Sequence, residues 1–501
     1  MMVSPLPQSS NVPSLASWSE APRVCRVNVR EVRPGGRYVL CWLQQALRAR
    51  DNPVIDAAIR LGNDLGLPVL VYHGLREDYP YASDRLHRFI LGASRDLALD
   101  CRQRDLACVQ HVDRADAREK GLVYRLAADS AAVFVEDQPT FVARWQSDRV
   151  AARTDVAMFG VNAACLVPPA LLGDGIGSTT AFRRKHEAVR ADWCAIADLP
   201  AAVAAYDGPL PFTSDRLESC TNADLDRLVE SAAIDHSLSL SPDFPAGRDG
   251  ALTKLERLMD TVLPTYATTR NDATKPVGAS MLSPYLHFGV IGPREVMATV
   301  DAAAAPAAAK TKFVDELLTW REWFHYQARA LPSPERYDRV SDWARETLAA
   351  HAADPRPDVE TLGDLLNGTT TDETWNACQR QFLIDGWMHN NLRMYWAKRI
   401  IALTPDPETA WATACYLNDR LSLDGRDPST YGNIAASFGA GSPGWDGPPI
   451  YGKVPTRSDG STRHRDGGPD WLRAAATRTA PEPTLPSRLP SALYLEGKLP
   501  I

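Results

Sequence analysis

Between Trp375 and Pro428 the chain sets three tryptophans, Trp375, Trp387 and Trp396, among His389, Asn390, Asn391, Arg393, Asn418, Asp419 and Asp424. The stretch reads WNACQRQFLIDGWMHNNLRMYWAKRII and then YLNDRLSLDGRDP. Soluble helices usually spend such positions on Ala, Leu, Glu and Lys. Indoles beside amides and an acid–base pair, in an apolar frame, suit a buried, flat, redox-active ligand better than a plain core. Any one tryptophan is by default a packing residue, so the weight rests on the set. Arg393 and Asp424 are candidates to pair, and burial would give such a pair more consequence than a surface one.

Three further groups have chemical potential. Tyr266 to Gly289, YATTRNDATKPVGASMLSPYLHFG, places Ser280 and Ser283 ahead of an apolar segment. That suits a helix start, which binds phosphate through free N–H groups and the dipole or is merely capped by the hydroxyls. FVDELLTWREWFHYQ (313–327) puts Glu316 and Trp320 four apart, on one helix face, with Glu316 between Val314 and Leu317. A carboxylate near an aromatic plane accepts hydrogen bonds from a flat heterocycle. The alternative is a surface acid paired with Lys312 or Arg321. Lys453, Arg457, Arg463 and Arg465 in a Gly/Ser-rich loop, with Arg270 earlier, suit phosphate contacts or a solvated surface.

The elements that must position these groups fall into two parts. YVLCWL (38–43), LPVLVYH (67–73), 107–111, AAVFVED (131–137) and VAMFGV (156–161) alternate with helical patterns. This predicts an α/β domain over 31–200, a doubly wound parallel sheet. No G-x-G-x-x-G follows the first strand, so the standard dinucleotide fingerprint is missing. Residues 201–250 have a Pro/Ser/Asp/Gly linker composition. From residue 251 to 474 helical patterns dominate, at 251–263, 293–305, 310–330, 340–353, 373–403 and 407–420, with a turn expected at Pro306. The first 30 residues are expected to be a disordered leader, and 475–501 a proline-rich extended tail.

Composition narrows the classes. A chain of 501 residues is too long for one ordinary core. The net charge of −7 excludes a general nucleic-acid coat and leaves room for a local basic patch. No apolar run reaches the ~18 residues of a membrane span, and the N-terminus has neither the basic nor the apolar region of a secretory signal. Nine cysteines without C-x-x-C or metal-ligand spacing are expected to be reduced thiols of a cytoplasmic protein that holds no metal.

Taken together, these motifs resemble the photolyase/cryptochrome flavoproteins, most closely class II cyclobutane pyrimidine dimer (deoxyribodipyrimidine) photolyases. YATTRNDATK…LSPYLHFG is similar to that family's flavin-phosphate segment and FVDELLTWRE to its substrate-glutamate helix. WNACQ, RMYWAKRI and LNDRLSLDGRDP are similar to its flavin and electron-transfer segments. RARDNP (48–53) and VNAACLVPP (161–169) extend the likeness more weakly. The resemblance implies FAD in the helical domain and an antenna domain before it, with a deazaflavin, a folate or no antenna pigment. It implies that Tyr266, Ser280, Leu282 and Ser283 line the FAD phosphates and ribityl chain. Arg393 and Asp424 would flank the isoalloxazine ring, with Gly425 and Arg426 beside them, and Asn418 would face the reactive flavin nitrogen. Glu316, Trp320 and Asn390 would meet the damaged bases, Trp375 and Trp396 would carry electrons, and Arg270, Lys453, Arg457 and Arg463 would hold DNA. The implied activity is light-driven electron transfer from reduced FAD to a pyrimidine dimer flipped out of UV-damaged DNA, by a monomer. Glu316 would support negative charge on the dimer only if protonated or sharing a proton, a state that apolar surroundings favour.

The chain also departs from that family. The tryptophan that class II enzymes stack on the dimer falls at Ala436, with Trp445 farther on, and the outermost tryptophan of their electron chain falls at Leu403. Electrons would then need another route, through Trp387 or Trp411. A cryptochrome-like blue-light receptor, binding FAD without repair, is the alternative expectation.

Overall fold

The computed structural model describes residues 12–195, 199–275, 278–441, 444 and 447–498, so Trp445 lies outside the described residues. Six strands, β1 (Val24–Arg26), β2 (Tyr38–Leu43), β3 (Val69–Leu75), β4 (Ala107–Val112), β5 (Ser130–Glu136) and β6 (Ala157–Val161), form one sheet in the order β1-β6-β5-β2-β3-β4. β2 to β6 are mutually parallel as expected. The apolar runs of β2, β3, β5 and β6 follow from helices covering both faces. β1 is an addition: it runs antiparallel to β6 at the edge, pairing Val24 with Val161. Leu15 and Trp18 are buried, so the expectation of a disordered leader is corrected over residues 12–30, and residues 1–11 lie outside the described residues.

The turn after β2 explains the missing dinucleotide fingerprint. The Glu136 carboxylate accepts the backbone N–H groups of Gln44, Gln45 and Ala46 at 2.8–3.1 Å. Donors that cradle phosphate in dinucleotide folds are already bound here by the protein's own carboxylate.

Residues 201–250 are more than a connector. They carry the helix Asn222–Glu230 and bury Leu225, Leu238 and Phe244. One apolar cluster joins the sheet (Val39, Val71, Phe134) to the helical part (Leu258, Tyr285, Phe288). RARDNP fastens the same junction. Arg48 donates to Gly289 O at 2.9 Å and to Ala163 O at 3.3 Å, and Asp51 pairs with Arg294 at 2.9 Å.

The helical region differs from expectation where it matters for the site. The helical pattern over 373–403 is two helices, Glu373–Asp385 and Asn390–Leu403. Gly386 stops the first in a left-handed conformation (φ 64°), and the connector presents Trp387 and His389. The segment 307–329 is helical throughout but widens into a π-helical turn at Asp315–Trp320, which carries Glu316 and Trp320. The proline-rich tail is not simply extended: the helix Ser491–Glu496 buries Leu493 and Tyr494 against the helical domain.

Candidate functional site

Three helix ends meet around Arg393. The helix Glu373–Asp385 terminates at Gly386, Asn390–Leu403 starts one connector later, and Pro407–Leu421 runs into Ser422–Asp424. Arg393 and Asp424 form the expected pair, Nη2 to Oδ1 at 3.1 Å, with both side chains 9% exposed. Ser422 donates to Asp424 at 2.5 Å, and Ser283 bonds the same carboxylate. Burial pushes the Asp424 carboxyl up, but Arg393, Ser283 and Ser422 outweigh it and hold the pKa below the ordinary value. Arg393 Nε is buried without a partner.

Asn418 is completely buried. Its Nδ2 donates to Gly425 O at 2.8 Å, and its Oδ1 has no protein partner. Gly425 is required at this approach, since a Cβ there would come 2.7 Å from Asn418 O. A buried amide oxygen and a buried guanidinium nitrogen, both unpaired, are costly in a closed core. They fit a polar heterocycle seated against Arg393 and Asn418.

An aromatic run leaves this point. The Arg393 guanidinium lies 5.1 Å from the Phe382 ring, Phe382 is 5.5 Å from Trp396, and Trp396 stacks on Trp375 at 6.1 Å with 8° between planes. Trp375 donates to Trp396 O at 3.0 Å and Trp396 to Gln379 Oε1 at 2.8 Å, so both indoles are locked. Trp387 and Trp411 have other ring neighbours: Trp387 lies against Phe244 and His389, beside Ser283. Trp387 donates to Ser283 Oγ at 3.3 Å, and Trp411 packs on Phe438 at 5.4 Å and Tyr337 at 6.1 Å. Leu403 is fully buried at the end of its helix.

The Tyr266 segment reaches the same region by a different route from simple capping. Ser283 opens the short helix Ser283–His287, but no side chain caps it, and its hydroxyl faces Asp424 and Trp387. Leu282 is buried and Ser280 is half-buried. Burial and the nearby Glu316 push the Tyr266 phenol up to about 12.

The substrate candidates are arranged differently from expectation. Glu316 is not in apolar surroundings: Arg270 Nη2 lies 2.7 Å from it and Lys312 Nζ 2.9 Å. Arg321, the other partner considered, donates to Ala164 O at 2.6 Å. Arg270 is thus engaged with Glu316 rather than free for phosphate. Trp320 is 38% exposed, 6.4 Å from Phe324. Phe324 sits directly on Gly432, and His325 Nε2 lies 3.6 Å from Asp427 Oδ1. The helix Arg321–Arg329, which follows Trp320, therefore packs against Pro428–Ser437, on which Ala436 is exposed. Asn390 is exposed at the start of its helix, while Asn391 holds Asn271 O at 2.8 Å.

The basic loop is partly spent on internal pairs. Arg463 binds Asp459 at 2.8 Å and Glu373 at 3.4 Å, and Arg457 lies against Met394 at 3.8 Å. Lys453 is exposed. Arg426 turns away from the loop and faces Tyr79 at 6.0 Å, on the wall of a cavity of about 350 Å³ at the carboxyl ends of β2, β3 and β4. His287 and Phe288 share that wall. Single-residue reading missed this cavity because its lining comes from both domains.

No cluster of metal-ligating side chains occurs among the described residues, and the nine cysteines are unpaired. No helix among them is long and apolar enough to cross a membrane.

The DNA photolyase family model matches residues 39–204, the α/β part. The deoxyribodipyrimidine photo-lyase of Oryza sativa subsp. japonica is 32% identical over 457 residues, covering 85% of this chain and 86% of its own. That of Methanothermobacter thermautotrophicus is 28% identical over 453 residues, covering 88% and 94%. Among solved structures, a bacterial class III photolyase from Agrobacterium tumefaciens superposes with a TM-score of 0.65 at 20% identity, covering 88% and 86%, a likeness of fold. With the α/β sheet, the helical domain and near-full-length relatives all in agreement, this chain belongs to the DNA photolyase family.

Proposed function

We propose that the protein is a deoxyribodipyrimidine photo-lyase that uses FAD to split cyclobutane pyrimidine dimers in UV-damaged DNA. The observation that carries this reading is the buried Arg393–Asp424 pair, flanked by the unpartnered Asn418 oxygen, with Phe382, Trp396 and Trp375 leading away from it. When bound, FAD supplies the light-driven electron. Arg393, Asp424 and Asn418 would hold its ring, with Gly425 keeping Asn418 in place. Tyr266, Leu282 and Ser283 would line its remainder.

The chain's own residues then have separable tasks. Trp320 offers a half-open indole face for an extruded base, worth about 1–3 kcal/mol per stacked base. Glu316 sits on the neighbouring turn with Arg270 and Lys312 on its carboxylate. This triad orients polar groups at the base edge and brings positive charge to a substrate that gains an electron. Lys453 and Arg457 are the loop cations best placed for backbone phosphates, and Arg463 adds charge at the edge. Trp396 and Trp375 form a packed conduit for recharging the cofactor. The cavity beside Arg426, His287 and Phe288 lies where α/β sheets bind ligands, at the carboxyl ends of the strands. An antenna pigment, deazaflavin or folate, would occupy it.

The test is repair itself. Purified protein, reduced and illuminated with an oligonucleotide carrying one cyclobutane thymine dimer, is expected to restore intact thymines. Bound flavin without repair of this or a (6-4) lesion would move the reading to a blue-light receptor. Glu316→Ala is expected to lower repair roughly tenfold or more with flavin retained, the scale of one charge-assisted hydrogen bond. Unchanged repair would remove Glu316 from the substrate site. Trp396→Phe is expected to slow flavin photoreduction by at least about tenfold while dark-reduced enzyme still repairs, because phenylalanine is far harder to oxidise. A wild-type photoreduction rate would place the conduit elsewhere.

A further inference from the structure

The end of the chain makes a polar contact deep in the protein. Tyr494, in the helix Ser491–Glu496, is fully buried, with its hydroxyl 2.9 Å from Asp419 Oδ2 and 3.1 Å from the Tyr81 hydroxyl. Tyr431 donates to the same Asp419 oxygen at 2.7 Å. Asp419, itself fully buried, accepts a long 3.5 Å bond from Asn418 Nδ2 at its other oxygen.

A phenol carries one proton. With Asp419 ionised, Tyr494 donates to it and must accept from Tyr81. With Asp419 protonated, the same bonds can run outward. Tyr81 is half-buried and packs edge-on against Tyr416 at 5.5 Å, so the hydroxyls of Tyr81 and Tyr494 form a line that ends at the residue beside Asn418. Three segments distant in sequence are needed to complete it: the approach to the helix Asp84–Gln103, the helix Pro407–Leu421 and the C-terminal helix.

We propose that Tyr494 is a positioning residue of the flavin site. By donating to Asp419 beside Tyr431, the hydroxyl that the C-terminal helix brings in sets the balance between the ionised and protonated forms of the carboxyl next to Asn418. The charge on that carboxyl sets how readily the neighbouring flavin is reduced. This rests on the flavin reading above.

Burial pushes Asp419 up to about 7, against the pull of Tyr431, Arg426, Tyr494 and Asn418. The titratable and charged groups facing it are Tyr431, Tyr494, Arg426, Cys415 and, behind Tyr494, Tyr81. Glu335, itself pushed up to about 7 by burial, lies against Tyr431 and Cys415, and Arg339 against Cys415. An ionised Asp419 adds negative charge beside an acceptor that becomes electron-rich, so it opposes reduction. A protonated Asp419 favours it.

The experiment is a spectroelectrochemical titration of the flavin in full-length holoprotein, from about pH 5 to 9. Wild type is expected to show an extra break in midpoint potential against pH near neutrality, and Asp419→Asn to abolish it. Tyr494→Phe removes a donor that favours the ionised carboxylate, so its break is expected about one pH unit higher. Tyr431→Phe is expected to act in the same direction and carries the test if Asp419→Asn fails to fold. Superimposable curves for wild type, Tyr494→Phe and Tyr431→Phe would overturn the proposal, even if the variants melt at lower temperature. A wild-type protein without bound flavin would overturn the flavin reading and this inference with it.

Discussion

Asp424→Ala is expected to abolish flavin retention and to destabilise the helical domain by about 3–5 kcal/mol, the cost of removing one partner of a buried ion pair. Arg393 would be left buried with Nε already lacking a partner and Nη2 losing its carboxylate. Ser283 and Ser422 would lose an acceptor as well. Asp424→Asn keeps the shape and one acceptor oxygen but not the charge, so an intermediate loss is expected. The checks are flavin absorbance per mole of purified protein and the melting temperature. Full occupancy in Asp424→Ala would remove the pair from the cofactor site. The pH dependence has a definite sign. Because the folded-state pKa of Asp424 is depressed, its contribution is complete above the unfolded carboxylate pKa of ~3.9. It is lost as pH falls through the folded value. Acid release of flavin is therefore expected below about pH 4 in wild type.

The parts of this protein that could be read from its residues are those in which one segment carries its own signal. β2, β3 and β5 are largely apolar runs rich in Val, Leu, Phe and Tyr because both faces of the sheet are covered, and such runs are visible without a fold, while the edge strand β4 carries Gln110 and His111. Arg393, Asn418 and Asp424 were legible as a motif; all three are buried, and Arg393 pairs with Asp424. β1 was not legible, since three residues, Val24–Arg26, are too few to show a period. The break at Gly386 was hidden because the apolar frame of WNACQRQFLIDGWMHNNLRM continues across it; only the left-handed glycine marks it. For Glu316 the i, i+4 spacing makes the pair with Lys312 legible, but not the second partner, Arg270, which comes from another segment. Tyr494 sits in a stretch whose prolines signal extension, and its partner Asp419 is 75 positions away. What the sequence hid were contacts between segments, and these are the features that shape the electrostatics of the site.

Arg85→Ala is expected to be the most destabilising single change in the α/β domain, by about 4 kcal/mol or more. Arg85 is 1% exposed, and its five N–H donors meet five backbone carbonyls. Nε donates to Ser239 O at 3.1 Å, and Nη1 to Phe382 O at 3.1 Å and Leu421 O at 2.6 Å. Nη2 donates to Leu383 O and, at 3.3 Å, to Ile384 O. Four of these acceptors are last-turn carbonyls of the helices Glu373–Asp385 and Pro407–Leu421; Phe382 O also accepts the Gly386 N–H at 3.0 Å, while Leu383, Ile384 and Leu421 O are of the kind a helix end leaves without an intrahelical partner. A cation there also meets the negative end of both dipoles. Burial lowers the Arg85 pKa to about 10, which leaves it charged at neutral pH. Each buried carbonyl left unsatisfied costs about 1–3 kcal/mol, less where water enters the gap. Lysine has one point charge and three donors, so Arg85→Lys is expected to recover less than half of the loss. Gly386→Ala probes the same joint from the other side, since a Cβ there would come 2.8 Å from Arg85 Cδ in a backbone already at φ 64°. The site depends on this joint. Trp387 to Arg393 follow one capped helix and Ser422 to Asp424 the other, so a guanidinium from the α/β domain holds both arms of the Arg393–Asp424 pair. Urea unfolding and flavin affinity are therefore expected to fall together in Arg85→Ala. A variant that melts within about 2 °C of wild type, the shift of less than 1 kcal/mol, and binds flavin equally well would show that the two helices hold their register without it.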